Sequence, residues 1–172
     1  DTSNIKEFCQ KLYLEHKSCL TDLAQQQLRD YLFLFFNEKN ISVIKDNDID
    51  YILSEALKLT ERETYQAMEA LIHNLNSMQS RAGAQVPFSS INYGTGTTPE
   101  QRMVMKNVLL ATDAGLGGGE TPIFPVQIFK VKDGINTKPG DPNYDLFRLS
   151  CKVSAKRLFP NFSFLDAPFN AE

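Results

Sequence analysis

The spacing of apolar residues changes character partway along the chain. Up to about residue 82, apolar positions recur every three or four residues, the period of an amphipathic α-helix. This spacing predicts helices over roughly 4–16, 20–37 and from Asp48 onward. The run Thr60-Glu61-Arg62-Glu63 has the form of a capping box, so it predicts the start of another long helix ending near Gln79. The predicted core positions of that helix are Ala67, Ala70, Leu71, Leu75 and Met78.

Beyond residue 82, short apolar runs alternate with helical patterns. The runs 86–92, 123–131 and 162–165 are typical of strands, and helical spacing fills 99–114 and 142–158 between them. Such alternation favours parallel strands joined by crossover helices. The sequence therefore predicts an α/β fold, in which a helical N-terminal half is followed by a βαβαβ parallel-strand unit.

The division predicted from this change is a mainly helical segment, 1–82, followed by a partial barrel of βαβαβ form, 83–172. Right-handed crossovers should place both connecting helices on one side of the sheet. Pro125 cannot donate to a strand ladder, so the second strand should either bulge there or begin near Val126.

Local chemistry marks the ends of the two connecting helices. Thr98 followed by Pro99 is a cap with proline in the first helical position, and Asp141 followed by Pro142 repeats that device. Gly115 is a natural helix stop. The predicted buried positions are Val104, Val108 and Ala111 in the first helix and Phe147, Cys151, Ala155 and Leu158 in the second.

Composition excludes several classes of protein. A net charge of −3 and an isoelectric point near 5.5 give no support to a nucleic-acid partner. The longest strongly apolar run, Tyr31 to Phe36, is too short for a membrane span, and no signal peptide is recognisable. Three widely spaced cysteines, Cys9, Cys19 and Cys151, suit a reducing, cytoplasmic setting. The missing initiator methionine indicates a processed chain or a piece of a longer one.

The sequence offers no metal site and no catalytic residue. The two histidines are remote from each other and lack the spacing of a zinc motif. Asp46, Asp48 and Asp50 imitate the start of a calcium-binding loop, but its sixth and twelfth positions carry Tyr51 and Leu57 in place of glycine and glutamate. We therefore predict that no metal binds and that no residue acts catalytically.

A polar segment at the junction between the long helix and the first strand is a candidate binding region. Polar side chains on one face of an apolar strand suggest a barrel interior lined for a ligand. A loop held by hydrogen-bonding caps explains the same residues equally well, and this alternative stays open. The residues concerned are Arg81, Gln85, Ser89, Ser90 and Asn92, with Gly83 permitting a tight turn.

A second candidate lies between the first strand and the next helix. An anion could dock at Thr95, Gly96 and Thr97, because helix N-termini present backbone N–H groups. A capped helix start with glycine flexibility is the favoured alternative. The glycine-rich run 115–119 follows a helix and precedes a strand, the reverse of a dinucleotide-binding fingerprint.

Several of these stretches together resemble a known family. The chain from about Thr60 to Asn170 is similar to the interior of the large subunit of anaerobic (class III) ribonucleoside-triphosphate reductases. One departure is Gln101, which stands where the family carries glycine. The matching stretches are Gln66–Ala70, Asn74–Gly94, Asn107–Thr112, Gly119–Lys132, Gly140–Leu146 and Ser154–Asn170.

The resemblance implies a fold, a reaction and partners. Members of the family form a ten-stranded α/β barrel of two parallel halves and reduce nucleoside triphosphates to deoxynucleotides for DNA synthesis. A glycyl radical, installed by an iron–sulfur activase that uses S-adenosylmethionine, acts through a finger-loop cysteine. The implied partners are nucleotide substrates and allosteric effectors, the activase, and a second copy of the large subunit; nucleic acid and membrane are not among them.

For this chain the resemblance implies scaffold without radical chemistry. The finger-loop cysteine belongs to a Met-Gly-Cys-Arg-Thr type sequence expected beyond Glu172, and none of the three cysteines here has the required context. The fragment should therefore be inactive alone. A stand-alone helical interaction or regulatory module is the alternative. The nucleotide-contacting residues that the resemblance suggests are Ser80, Arg81, Gly83, Gln85 and Ser90.

Overall fold

The computed structural model describes residues 26, 29–30, 32–34, 46–78 and 85–170. The chain divides into two units, Asp1–Glu63 and Thr64–Glu172. In the first unit the described residues between 26 and 34 are helical, and Arg29 forms an ion pair with Asp50. The predicted helix over 4–16 and most of the one over 20–37 lie outside the described residues. The assignment of 1–82 and 83–172 as separate segments stays a prediction.

Helix α1 runs without a break from Asp46 to Ser77. The predicted helix start at Thr60 is therefore wrong. The Thr60 hydroxyl donates to the carbonyl of Ala56, 2.8 Å away and one turn back, so it is satisfied within the helix instead of capping a new one.

The predicted core stripe of α1 is also largely wrong. Ile72 is fully buried, and Asn76, one turn later, bonds to the segment before the second strand. Ile72 and Asn76 lie on the side of the helix that faces the rest of the chain, so most of the predicted core residues lie on its solvent side. Leu75 is half-buried; the exposed members are Ala67, Ala70, Leu71 and Met78.

Three strands form a parallel sheet in chain order, as the alternation predicted. They are β1 (Ser90–Tyr93), β2 (Val126–Val131) and β3 (Asn161–Phe164). Both pairings are parallel, with Tyr93 opposite Phe129 and Phe129 opposite Phe162. β2 begins at Val126, directly after Pro125, which confirms the strand start expected from the missing proline N–H.

Helix α2 (Pro99–Ala114) begins and ends where local chemistry predicted. The Thr98 hydroxyl accepts from the Gln101 N–H, and the Gln101 side chain accepts from the Thr98 N–H, each at 3.3 Å. Gln101, the departure from the family pattern, is therefore half of a capping box. Gly115 ends the helix with a positive φ of 83°.

Helix α3 (Tyr144–Arg157) begins later than predicted. Asp141 does not cap it. Its carboxylate accepts from the N–H groups of Thr137 and Lys138, at 2.9 and 2.8 Å, and closes a turn that precedes the helix.

The buried stripe of α3 is displaced from the predicted one. The buried positions are Leu146, Ser150, Val153 and Arg157, two of them polar. Cys151, Ala155 and Leu158 are exposed, and Val104 of α2 is 45% exposed, so these four core assignments are wrong. The prediction followed apolar residues, whereas Ser150 and Arg157 are buried because their polar atoms bond to backbone carbonyls.

The core lies on one face of the sheet. Phe129 is fully buried at its centre and contacts Tyr93, Phe147 and Phe162 through edge or tilted ring geometries, with centroids 5.6 to 6.2 Å apart. Because α2 and α3 pack on each other and share this cluster, both lie on the same face of the sheet. The cluster comprises Met105, Leu109, Phe129, Val131, Leu146 and Val153.

Candidate functional site

The two faces of the sheet carry different chemistry. Side chains alternate along a strand, and laterally paired residues project to the same side. The face under the helices carries Phe129 and Val131 with their partners on the neighbouring strands. We call the opposite side the polar face. It consists of Ser90, Asn92, Val126, Ile128, Lys130, Asn161 and Ser163.

The polar side chains of the polar face are not engaged with the rest of the described chain. Within the described ranges, no hydrogen bond or ion pair is made by the side chains of its five polar residues, which are Ser90, Asn92, Lys130, Asn161 and Ser163. The three strands contain no aspartate or glutamate, and Lys130 is their one charged residue. The polar groups of this face are therefore four uncharged hydrogen-bonding side chains and one positive charge, on Lys130.

By contrast, buried amides tie together the carboxyl ends of the strands. The Asn143 side chain donates to the carbonyls of Gly94 and Gly96, at 3.0 and 2.7 Å. Asn136 donates to Gly94 and to Lys130, at 3.1 and 2.9 Å. Gly94 has a φ of 127°, and a Cβ there would lie 2.4 Å from the Lys130 carbonyl oxygen. The loop after β1 is therefore fixed tightly against β2.

The predicted anion-binding residues Thr95, Gly96 and Thr97 lie in that loop, between β1 and α2. The capping box occupies the N–H groups of Thr98 and Gln101, and proline supplies no N–H at the first helical position. Glu100 adds a negative charge to the first turn. An anion at this loop stays a prediction.

The predicted nucleotide-binding residues fall on both described and undescribed parts of the chain. Ser80, Arg81 and Gly83 lie outside the described residues. Gln85 is exposed ahead of β1, and Ser90 is the exposed first residue of β1. Their role in binding a nucleotide stays a prediction.

Asn76 is an important residue that the sequence did not single out. Its side chain donates to the carbonyls of Ile72 and Phe124, at 2.7 and 2.6 Å, and accepts from the N–H groups of Ile123 and Phe124. One amide thus joins the last turn of α1 to the segment that enters β2. The sequence shows only an asparagine near a helix end, with no local signal of its distant partners.

Arg157 is a second residue of this kind. Its guanidinium is buried at the end of α3 and donates to the carbonyls of Asp113, Ala114 and Gly119, at 2.6 to 3.0 Å. It thereby satisfies carbonyls at the C-terminus of α2, which a helix otherwise leaves unpaired. A basic residue among the last residues of a helix normally predicts an exposed side chain, so sequence reasoning missed this one.

A buried hydrogen-bond chain crosses from the sheet to α2. The Tyr93 hydroxyl donates to Gln127, and the Gln127 amide donates to Thr112, at 2.6 and 2.7 Å. The Thr112 hydroxyl passes the chain on to the Val108 carbonyl. Burial raises the pKa of Tyr93 well above its ordinary value. The hydroxyl therefore stays protonated at neutral pH and donates its hydrogen bond to Gln127.

The described residues carry neither an evident metal site nor a membrane span. They bring no three His, Cys, Asp or Glu side chains together in a way that could hold a metal ion. Among the helices in the described part of the chain, none is long and apolar enough to cross a bilayer.

A parallel sheet with both connecting helices on one face and a polar opposite face places the chain among α/β proteins. Residues 5–172 match the anaerobic ribonucleoside-triphosphate reductase family, and the chain belongs to that family. This confirms the resemblance seen in the sequence.

Individual relatives agree with this assignment. The chain is 38% identical over 103 residues to the anaerobic ribonucleoside-triphosphate reductase of Salmonella typhimurium, and 39% identical over 110 residues to that of Enterobacteria phage T4. These matches cover 59% and 63% of this chain. They span only 14% and 18% of the two relatives, so the chain corresponds to a small part of their length.

Proposed function

We propose that this chain is a section of the barrel wall of an anaerobic ribonucleoside-triphosphate reductase, contributing scaffold and nucleotide contacts. The observation that carries this proposal is the asymmetry of the sheet. In α/β barrels the helices form an outer ring around the strands, and the other face of the sheet is turned inward. Here α2 and α3 cover the aromatic face, which leaves the polar face for the interior and its ligand.

In this proposal the parent protein makes deoxyribonucleotides in the cytoplasm, as a dimer activated by a separate iron–sulfur protein. The glycyl radical would supply the one-electron chemistry. Cys151 is an exposed thiol on α3, whereas the proposed ligand face is on the other side of the sheet. A cysteine so placed is unsuited to act on a ligand at the polar face. Since none of the three cysteines has the Met-Gly-Cys-Arg-Thr type context either, we expect the fragment to be inactive alone.

Two sets of nucleotide contacts belong to the proposal, at opposite ends of β1. Thr95, Gly96 and Thr97 follow the strand, at the carboxyl end where parallel sheets usually bind ligands. The segment from Ser80 to Gln85, together with Ser90, precedes or begins the strand. We assign the first set to an anionic group of a nucleotide and the second to reading nucleotide identity.

The second assignment can be tested in the intact parent enzyme. Changing Arg81 or Gln85 to Ala should alter relative rates on the four ribonucleoside triphosphates, because polar contacts to a base contribute roughly 0.5–1.5 kcal/mol each, and more when charged. Thermal stability should stay nearly unchanged in both variants if these side chains serve the nucleotide and not the fold. Unchanged substrate ratios in the presence of each effector would remove the segment from nucleotide recognition.

The proposed activity itself is tested by assaying the complete parent protein anaerobically with its activase. Deoxynucleotide formation by the parent and none by the isolated chain is the expected result. If the isolated chain instead captures a protein partner and the parent forms no deoxynucleotide, the alternative of an interaction module is correct. Exposed apolar side chains favour that alternative, notably Phe88 at 82% and Phe169 at 84% exposure.

A further inference from the structure

We propose that Lys130, flanked by Asn92 and Ser163 on the polar face, binds the triphosphate group of a nucleoside triphosphate. This inference rests on the proposed function, since it names the group recognised by the same face. Lys130 lies on the central strand directly opposite Ser163 of β3. Asn92 of β1 is paired with Ile128, one position along the same face from Lys130. A cation thus lies between an amide and a hydroxyl.

The charge of Lys130 is not neutralised by the described part of the chain. Its ammonium has no ion-pair partner there. The acidic residues in the loops at the carboxyl ends of the strands are engaged elsewhere. Asp133 pairs with the Lys138 ammonium at 2.9 Å, and Asp166 accepts from the Asp133 N–H at 2.7 Å. The polar face therefore presents the positive charge of Lys130 to a ligand bound near the carboxyl ends of the strands.

The chemistry of the three side chains fits a phosphate oxyanion. A lysine ammonium is a compact cation with three donors, and charge-assisted hydrogen bonds to phosphate are stronger than neutral ones. The amide and hydroxyl add neutral donors without adding a competing carboxylate. Val126 and Ile128 on the same face are half-buried and apolar, and thus suited to the less polar parts of a nucleotide.

The backbone beneath Lys130 is held in place, which gives the side chain a fixed origin. The Lys130 carbonyl accepts from the buried Asn136 amide at 2.9 Å. Gly94 packs so closely on this carbonyl that no larger residue fits. A lysine on a fixed backbone loses less freedom on binding than one on a loose loop, so more of its interaction with the ligand appears as affinity.

The decisive experiment measures binding to the full-length parent protein, without activation, by titration calorimetry with a ribonucleoside triphosphate and with inorganic triphosphate. Lys130→Met should weaken both ligands by about tenfold to a hundredfold, the expected loss for hydrogen bonds to a charged group. Lys152→Met is the matched control, because Lys152 is an exposed lysine of α3, on the opposite side of the sheet. It should leave both affinities unchanged.

A second variant guards against misfolding of the first. Asn92→Asp keeps the shape of the side chain and places a carboxylate beside Lys130, so it should weaken both ligands while preserving the melting temperature. Wild-type affinity for inorganic triphosphate in both variants would overturn the inference. So would competition by acetate equal to that by triphosphate, since the site would then recognise any anion.

The two proposals can fail separately. If the parent protein reduces nucleotides and Lys130→Met binds them normally, the function stands and the role of Lys130 is wrong. If triphosphate binding depends on Lys130 but the parent forms no deoxynucleotide, the binding site stands and the proposed reaction is wrong.

Discussion

The two faces of the sheet differ in how completely their polar groups are satisfied. Under the helices, Tyr93, Gln127 and Thr112 form an unbroken hydrogen-bond chain inside an aromatic core. On the polar face, Asn92 and Lys130 make no side-chain bond to the described residues. A buried polar group must be paired to be tolerated, whereas a group kept for a ligand must remain available. The difference separates the part of the sheet that maintains the fold from the part suited to binding.

The strongest test of this contrast is truncation of two neighbouring residues of β2 that project to opposite faces of the sheet. Phe129→Ala should cost about 3–5 kcal/mol of unfolding free energy, because it leaves a cavity at the centre of the core. Ile128→Ala, the adjacent residue on the polar face, is only half-buried and should cost clearly less. Urea denaturation of both variants measures the difference. Equal losses would show that the two faces are packed alike.

The buried arginine should give the next largest effect. Arg157→Met leaves the carbonyls of Asp113, Ala114 and Gly119 without their donor, so we expect a loss of about 2–3 kcal/mol. Arg148→Met is the control, since Arg148 is exposed on the same helix. A loss below 0.5 kcal/mol, the usual range for surface changes, would mean that water replaces the guanidinium.

The hydrogen-bond chain offers a smaller and more specific test. Gln127→Leu should cost about 1–3 kcal/mol, because it strands the Tyr93 hydroxyl in the core. Adding Tyr93→Phe to that variant should restore part of the stability, since both partners are then apolar. A double variant less stable than the sum of the two single changes would contradict this view of the pair.

The same tyrosine predicts a dependence on alkaline pH. Its pKa is raised in the folded state by burial, so the folded protein holds the proton more tightly than the unfolded chain. The associated stability is complete below the ordinary tyrosine pKa of about 10 and is lost as the pH rises beyond it. Tyr93→Phe should flatten this decline in unfolding free energy, measured by urea denaturation at increasing alkaline pH. An equally steep decline in the variant would contradict this role of Tyr93.

The helix cap should give the smallest effect. Thr98→Ala removes the hydroxyl that accepts from the Gln101 N–H and should cost about 1 kcal/mol. Thr97→Ala, one residue earlier, is the matched control and should be close to neutral. Thermal denaturation distinguishes the two. If both variants lose the same stability, the loop rather than the cap is responsible.

The sequence predicted those features that depend on neighbouring residues. Thr98 with Pro99 and Gly115 marked the two ends of α2, and Pro125 marked the start of β2, because cap hydroxyls, proline rings and glycine act within a few residues. The alternation of strands and helices along the chain indicated parallel pairing. A helix that follows one strand and precedes the next in sequence must bury one side against the sheet, which favours a crossover between parallel strands.

Features that depend on distant partners were missed. The Asn76 side chain bonds to the backbone of Ile123 and Phe124. The Arg157 guanidinium bonds to carbonyl groups at the C-terminus of α2. Thr60 resembled a helix start, although the residues before it continued the helix. The polar face was foreseen only at Ser90 and Asn92. Lys130 escaped notice because strand alternation alone does not say which face the helices will cover.

The sheet also has two outer edges, one along β1 and one along β3, with no further strand beside them among the described residues. An open edge exposes a row of backbone donors and acceptors, which can pair with any other chain that offers a strand. Closure into a barrel removes such edges. Within a complete barrel, neighbouring strands would pair with these two edges and so prevent aggregation. The described sheet by itself would be prone to aggregate through the edges of β1 and β3.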